Sequence, residues 1–257
     1  MSEENKIILL GTGTSTGVPV LTCDCKVCNS KDSRDQRLRT SAYVEYNGLK
    51  LIIDCGPDFR QQILENKIND FDAILMTHGH RDHIAGLDEV RAFNYLKGKI
   101  VDVYSSIETI KALKIEFPYI FDPGEYDGPP LINFHIIEKE PFIIKNQKIY
   151  PLPVKHGNMN ILGFKIGELA YITDASYIPD GTIEKILESK LLVINALRKQ
   201  KHASHITLDE ALDYIKKINP KKACLTHISH FLGFYDDVQA CLPQNVILGY
   251  DGLKINI

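Results

Sequence analysis

Thr77-His78-Gly79-His80-Arg81-Asp82-His83 directly follows the apolar run Ala73-Ile74-Leu75-Met76. An apolar run of that length giving way to glycine and polar residues reads as a buried strand ending in a loop. Side chains two apart in an extended segment point the same way, so His78 and His80 can grip one cation from one side. Asp82 and His83 are neighbours, and the chain has to turn there for both to reach a second ion. Ile84-Ala85-Gly86-Leu87 beyond them reads as a helix start. Three imidazoles and a carboxylate in this short stretch give the mixed nitrogen and oxygen ligation that suits zinc, manganese or iron. A solvated polar loop with incidental histidines is the bland alternative, but structural histidines are seldom so dense.

Upstream, residues 41–46 and 49–54 flank Asn47-Gly48, a strong hairpin signal. Asp54 closes the second run. A carboxylate there either orients a metal-bound imidazole through its second ring N–H or caps the turn and helix that follow. Residues 57–66 read as that helix, with Arg60 as a substrate-phosphate contact or a plain surface charge. Residues 7–10 read as a first strand running into Gly11-Thr12-Gly13-Thr14-Ser15-Thr16-Gly17-Val18-Pro19. Backbone amides in such a loop can cradle phosphate. This one lacks the Gly-Lys-Ser/Thr ending of a P-loop, and no helix clearly follows. It is either a tight loop beside an active site or a substrate contact.

Cys23-Asp24-Cys25-Lys26-Val27-Cys28 brings three thiolates close together, enough for three corners of a zinc tetrahedron. The fourth has to come from elsewhere, and His230 in Thr226-His227-Ile228-Ser229-His230 is the candidate. Such a site is closed and structural, pinning the N-terminal loop to the C-terminal part of the chain. Residues 34–39 are heavily charged and read as exposed.

Downstream, residues 87–96 and 109–117 show helical spacing, the second ending before Pro118 as proline requires. Residues 119–130 carry Tyr119, Phe121, Pro123 and Tyr126 and are too irregular for a core element. They read as a substrate-facing flap, a dimer contact or a surface loop. Residues 100–104, 134–137, 142–144, 149–154, 162–166, 169–173 and 191–195 read as strands, and His135 among them as a satisfied strand histidine. His202 and His205 follow in a loop. Thr207 with Glu210 forms a capping box for an amphipathic helix over 208–218. Residues 223–226 form a strand delivering His227. Residues 246–250 and 253–255 are expected to close the fold as a hairpin around Asp251-Gly252.

The chain has 257 residues, 44% of them hydrophobic, and a net charge of −3. That is ordinary for a globular protein with a full core, and the charge argues against broad electrostatic capture of nucleic acid. No linker or repeat interrupts it, so one domain over 1–257 is expected, with two packed sheets and helices outside. The first residues are polar and residues 7–10 are too short for a signal segment or a membrane span. A cytoplasmic location away from membranes is expected. In that setting the six cysteines point to metal rather than disulfides.

The H-x-H-x-D-H stretch resembles the signature of the metallo-β-lactamase superfamily. Gly11-Thr12-Gly13-Thr14-Ser15, the Cys23/Cys25/Cys28 cluster, His205 before Thr-Leu-x-Glu-Ala-Leu, and Thr226-His227-x-Ser229-His230 narrow the likeness. Together they resemble the phosphoribosyl cyclic phosphodiesterase branch, over most of the chain. The resemblance implies a four-layer αββα sandwich. By position it implies His78, His80 and His156 on one divalent ion, Asp82, His83 and His227 on a second, and Asp174 bridging. A water held between two such ions has its pKa lowered towards neutrality, and the hydroxide so formed attacks phosphorus in line. The departing alkoxide needs a proton, and His205 is the candidate general acid beside Asp82 as ligand. The expected activity is hydrolysis of a small cyclic phosphodiester, with two active-site ions (zinc, manganese or iron) and one structural zinc. Rival readings are a tRNA 3′-end endonuclease, a thioester or lactam hydrolase and a di-iron oxidoreductase. Glu commonly replaces the second histidine in the last of these, so His80 favours a hydrolase. The expected partner is the small substrate, with a second copy of the chain as a further possibility.

Overall fold

The computed structural model describes residues 5–125 and 127–257. Tyr126 and residues 1–4, part of the polar start, lie outside the described residues. In chain order the strands of the first half are β1 (Lys6–Gly11), β2 (Ser41–Tyr46), β3 (Leu49–Ile53), β4 (Ala73–Leu75), β5 (Val101–Ser105), β6 (Ile132–Ile136) and β7 (Phe142–Ile144). Those of the second half are β8 (Gln147–His156), β9 (Met159–Ile166), β10 (Leu169–Ile172), β11 (Leu191–Asn195), β12 (Lys222–Thr226), β13 (Val246–Leu248) and β14 (Lys254–Asn256). They form two seven-stranded sheets, ordered β14-β1-β2-β3-β4-β5-β6 and β13-β12-β11-β10-β9-β8-β7.

The helices are α1 (Phe59–Glu65), α2 (Arg81–Ile84), α3 (Arg91–Lys97), α4 (Ile107–Glu116), α5 (Pro118–Phe121), α6 (Asp180–Ile186), α7 (Leu208–Ile218) and α8 (Tyr235–Gln239). Most strands are apolar on both faces, as expected where both faces are covered. In β1, Ile7 and Leu9 face the other sheet, while Ile8 and Leu10 join a core with Phe59 of α1 and Leu113 of α4. In β11, Leu191 and Val193 face the first sheet, while Leu192 and Ile194 pack with Ile186 of α6 and Ile215 of α7. Three apolar layers thus alternate with four structural ones, the expected αββα sandwich. Each such fully buried Leu, Ile or Val contributes about 1.5–3 kcal/mol relative to exposure. The Thr207–Glu210 capping box is formed at the start of α7.

Three expectations need correction. Residues 246–250 and 253–255 are not a hairpin. β13 pairs in parallel with β12 in the second sheet, and β14 pairs antiparallel with β1 in the first. The Asp251-Gly252 turn exists, but Asp251 accepts hydrogen bonds from Thr12 Oγ1 (2.7 Å) and Leu38 N (2.6 Å), which hold the chain as it crosses between sheets. The charged stretch 34–39 is not all exposed. Asp35 and Arg37 are buried, and Arg37 donates to Thr12 Oγ1 and to the Gly249 carbonyl beneath the glycine-rich loop. The start of 119–130 is also no free loop. α5 forms there, Tyr119 donates to Asp88 (2.6 Å), and Phe121 stacks on Phe134. His135 is satisfied, as expected, by Asp102 at 2.7 Å. No helix among the described residues is long and apolar enough to cross a membrane.

Candidate metal centre and active site

β3 and β4 run parallel in one sheet, and β10, β11 and β12 run parallel in the other. The C-terminal ends of β3, β4, β10 and β12, together with the end of β8, supply the side chains of interest. Asp54 follows β3, His78 and His80 follow β4, His156 ends β8, Asp174 follows β10 and His227 follows β12. Asp54, Asp174 and His227 turn out of their strands with φ of 61°, 57° and 55°. Left-handed backbone at a non-glycine residue costs free energy and clusters where surrounding structure holds a functional side chain in place.

The chain after β4 stays extended through His80 and then enters α2, which turns Asp82 and His83 inward. Gly56 makes this approach possible, because a Cβ there would overlap the Asp82 carbonyl oxygen. Two groups of ligand-type atoms result. One atom each from His78, His80 and His156 lies within 4.8 Å of the others, and the same holds for Asp82, His83, Asp174 and His227. His78 Nε2 and His80 Nδ1 are 3.1 Å apart. His83 Nε2 lies 3.2 Å from Asp82 Oδ2 and 3.3 Å from Asp174 Oδ1, and His227 Nδ1 lies 2.9 Å from the same Asp174 oxygen. The other oxygen of Asp174, Oδ2, faces His78 Nε2 at 3.9 Å. Asp174 therefore turns one oxygen to each group.

Neighbouring residues orient these rings. His83 donates from Nδ1 to Asp54 Oδ2 at 2.7 Å, which leaves the Nε2 lone pair facing Asp82 and Asp174. Thr77 donates its backbone N–H and its hydroxyl to Asp54 (2.8 Å each). With its proton committed, the Thr77 oxygen accepts from His78 Nδ1 at 3.0 Å, which bares His78 Nε2. His156 Nδ1 donates to the Ser204 carbonyl at 2.7 Å. Thr14, in the glycine-rich loop, pairs with His227 Nε2 at 3.1 Å. The loop thus packs against a candidate ligand. Asp54 takes the orienting role rather than the capping one, since its side chain makes no cap bond to α1.

The donor set fits divalent cations. His83 Nε2 and His227 Nδ1 are buried without a hydrogen-bond partner, each pointing at carboxylate oxygen. Burial works against charge on His83, but Asp174, Asp54 and Asp82 outweigh it and raise its pKa well above the ordinary value. Burial likewise opposes charge on Asp174, and His227 and His83 reverse this, so its carboxyl is held well below the usual range. An environment that favours positive charge between these carboxylates favours a cation there equally. Burial, with His83 adding to it, keeps His78 neutral, as ligation requires.

His205 lies against both groups, its ring centroid 4.7 Å from that of His156 and 4.8 Å from that of His227. One of its nitrogens lies within 4.8 Å of ligand atoms of His156 and Asp174. Burial, with His227 adding to it, pushes its pKa down to about 3, and its Nδ1 is buried without a partner.

The cysteines come together with His230. Its Nδ1 is 3.4 Å from Cys23 Sγ, 3.4 Å from Cys25 Sγ and 3.3 Å from Cys28 Sγ. Bond lengths of 2.3 Å to sulfur and 2.0–2.1 Å to nitrogen imply about 3.5 Å along the edge of a zinc tetrahedron. The backbone N–H of Cys28 donates to Cys25 Sγ, and this bond, opposed by burial and helped by His230, lowers the thiol to about 6. Burial pushes Cys28 up to about 11. The group could hold zinc with no open position.

The candidate ligands of the sequence reading fall in these clusters and His205 lies against them, whereas Arg60 is exposed on α1 beside Ile63, Leu64 and Phe93 and is a surface charge. Thr14, Thr77 and Ser204 were not singled out as ring-orienting groups. Thr77 and Thr14 adjoin recognisable motifs, whereas the Ser204 contribution is a backbone carbonyl and leaves no mark in the sequence.

A family model described as "Beta-lactamase superfamily domain" matches residues 50–228. A solved structure described as a new diphosphatase from the PhnP family superposes with a TM-score of 0.92 at 40% identity, covering 100% of this chain and 98% of that one. A protein named octanoyltransferase from Porphyromonas gingivalis is 39% identical over 252 residues, which is 97% of this chain and 51% of that protein. A ribonuclease Z from Clostridium kluyveri is 30% identical over 204 residues, 76% of this chain and 57% of the relative. The chain spans about half the length of these curated relatives.

Proposed function

The chain belongs to the β-lactamase superfamily, and from that premise we propose that this metallo-β-lactamase-fold hydrolase is a dinuclear metal-dependent phosphodiesterase acting on a small cyclic phosphodiester. The observation that carries the proposal is the orientation of Asp174, one oxygen towards His83 and His227 and the other towards His78. In this reading His78, His80 and His156 would hold one divalent ion, Asp82, His83 and His227 would hold a second, and Asp174 would serve both. Zinc, manganese and ferrous iron all suit such a donor set. When bound, two such ions lower the pKa of water and neutralise charge on phosphoryl oxygens.

The remaining work falls to the protein. Asp54, Thr77, Ser204 and Thr14 hold the rings in the tautomer and orientation that ligation needs. His205 passes a proton to the departing alkoxide. Its ring is neutral in the free protein at pH 7, and the negative charge of a bound phosphodiester favours uptake of the proton it then donates. Cys23, Cys25, Cys28 and His230 would hold a structural zinc and so tie residues 23–28 to the segment bearing His227. One domain spans the chain.

A second reading is hydrolysis of a diphosphate, favoured by the PhnP-family diphosphatase that matches the whole chain at 40% identity. It uses the same residues on a phosphoanhydride. The octanoyl transfer named for the Porphyromonas gingivalis relative gains no support from a His/Asp cluster, and this chain aligns with only 51% of that protein.

The test is turnover by zinc- or manganese-loaded protein of 2′,3′-cyclic nucleotides, ribose cyclic phosphates, bis(p-nitrophenyl) phosphate and a nucleoside diphosphate. Hydrolysis of a cyclic diester is expected. Full metal occupancy with turnover of none of them, or with turnover of thioesters or lactams alone, would overturn the proposal. Cleavage of RNA 3′ ends in preference to small diesters would move it to the ribonuclease Z reading.

A further inference from the structure

The turn after His156 sets an apolar side chain at the candidate centre that none of the roles assigned above uses. β8 and β9 form a tight hairpin in which His156 pairs with Met159 across Gly157 and Asn158. Residues directly opposite on two antiparallel strands project from the same face, with Cβ atoms about 4.5–5.5 Å apart. Met159 therefore stands beside His156. In the sheet β9 lies between β8 and β10, so Met159 is on the side of His156 towards Asp174, which follows β10.

The hairpin is tied to the segments that bear other candidate ligands. Gly157 N donates to Ser176 Oγ (2.9 Å), and Ser176 N and Oγ donate to the Lys155 carbonyl (2.7 and 3.0 Å), two residues beyond Asp174. Leu162 N donates to the carbonyl of Thr77 (3.0 Å), the residue before His78. Val154 and Ile161, the pair on the same face further down the hairpin, are buried, as is His156, whereas Met159 is 41% exposed. The apolar row thus ends in an open side chain beside a candidate ligand. A single exposed methionine elsewhere on the surface would call for no account. The other flank of the centre has the opposite chemistry. Thr14 pairs with His227, and Ser15 and Thr16 beside it are exposed on a turn closed by Gly17 N donating to the Thr14 carbonyl (2.8 Å).

We propose that Met159 is a specificity residue that packs against an apolar organic group of the substrate, a planar ring above all, borne on the phosphoryl group. This rests on the phosphoryl-hydrolase reading of the centre and deepens it. Of two like esters, the one with an apolar or aromatic group at the His156 flank is preferred to one whose group there is small or fully hydroxylated. An unbranched thioether adapts to the shape it meets and makes favourable contacts at ring edges. Met159 reaches neither the phosphorus nor the transferred proton and discriminates by burial alone.

The test compares wild type, Met159→Ala and the conservative Met159→Leu, all manganese-loaded. Calorimetry gives the Kd of phenylphosphonate and of methylphosphonate, which share a head group and have no ester bond to hydrolyse. Wild type should bind phenylphosphonate about 10-fold more tightly, and Met159→Ala should cut that preference about 5-fold, the effect of about 40 Å² of apolar contact. Met159→Leu should keep the preference within about twofold, and methylphosphonate affinity should move by less than about twofold in either variant. Equal wild-type affinities for the two phosphonates, binding of neither, or a preference that survives Met159→Ala overturns the proposal. So does an equal loss of both ligands in Met159→Ala, the mark of a displaced His156 ring. Bound manganese is counted in the same samples, so a wild type that holds two active-site ions yet is indifferent to the ring loses the specificity and keeps the metal reading. A wild type that hydrolyses no ester yet shows the Met159-dependent preference loses the reaction and keeps the specificity.

Discussion

Asp54→Asn isolates the contribution of a single carboxylate oxygen. Asp54 Oδ2 accepts from both His83 Nδ1 (2.7 Å) and Thr77 Oγ1 (2.8 Å), while Oδ1 accepts from Thr77 N (2.8 Å). Asparagine keeps the shape and tolerates the left-handed backbone at φ 61°, so no new backbone strain enters. Its amide offers one acceptor instead of two. With the NH₂ at the Oδ2 position a donor faces the His83 N–H and the Thr77 hydroxyl; flipped, it faces the Thr77 backbone N–H. The first conflict is relieved if His83 moves its proton to Nε2, which is the atom aimed at Asp82 and Asp174. A lone pair needed for ligation is then closed. The lost interaction is one charge-assisted hydrogen bond, about 1.5–3 kcal/mol, which converts to a 10- to 150-fold weaker cation affinity and agrees with the 10–100-fold usual for such orienting groups. The assay is competition of metal-free protein against a chelator of known affinity, with bound metal counted by mass spectrometry and the fold checked by circular dichroism. One class of site should weaken within that range while a second stays nearly unchanged. Two sites retaining wild-type affinity within about threefold, with the fold intact, would refute the reasoning.

Three further predictions follow from the same geometry. His205→Ala should leave metal content unchanged and slow hydrolysis of a cyclic nucleotide by about 10²–10⁴-fold, while a p-nitrophenolate ester, whose leaving group needs no proton, loses far less; equal losses on both substrates would remove the general-acid role. Burial raises Asp251 to about 6 from 3.8, so its protonated form is favoured in the folded state and its contribution is present below pH 4 and lost as pH rises through 6. Chemical denaturation should therefore show wild type losing about 2 kcal/mol relative to Asp251→Asn between pH 4 and 6, out of about 3 kcal/mol over the whole titration; the opposite slope would mean that Arg37 keeps this carboxylate ionised. Cys28→Ser should lower bound zinc by one equivalent and lower the midpoint of thermal unfolding, with activity falling as residues 23–28 come away from the His227 segment; an unchanged midpoint and zinc content would dismiss the structural zinc.

The sequence made some of this architecture plain and hid the rest for physical reasons. The apolar runs of β1, β3 and β11 face apolar layers on both sides, so they stood out without alternation. His78, His80, Asp82 and His83 are local and their density spoke for itself. His156, Asp174 and His227 are single residues at strand ends, and only the parallel packing of β10 and β12 beside the end of β8 makes them converge. Resemblance was needed to single them out. The final turn misled because Asp251-Gly252 is a genuine turn signal, while the sheets on either side of it are chosen by distant partners, β12 and β1. The buried Arg37 was hidden because its compensation comes from Thr12 and the Gly249 carbonyl, far away in sequence. Asp54 could be read two ways until His83 was seen beside it.

The central claim is a pair of cations sharing Asp174. Anomalous diffraction from crystals of manganese-loaded protein tests it most directly. Apart from the zinc peak at the cysteine cluster, two peaks are predicted in the active site, one among His78, His80 and His156 and one among Asp82, His83 and His227, with an oxygen of Asp174 on each. A single active-site peak at fully saturating metal, or His156 or His227 turned away from any peak, would contradict the account.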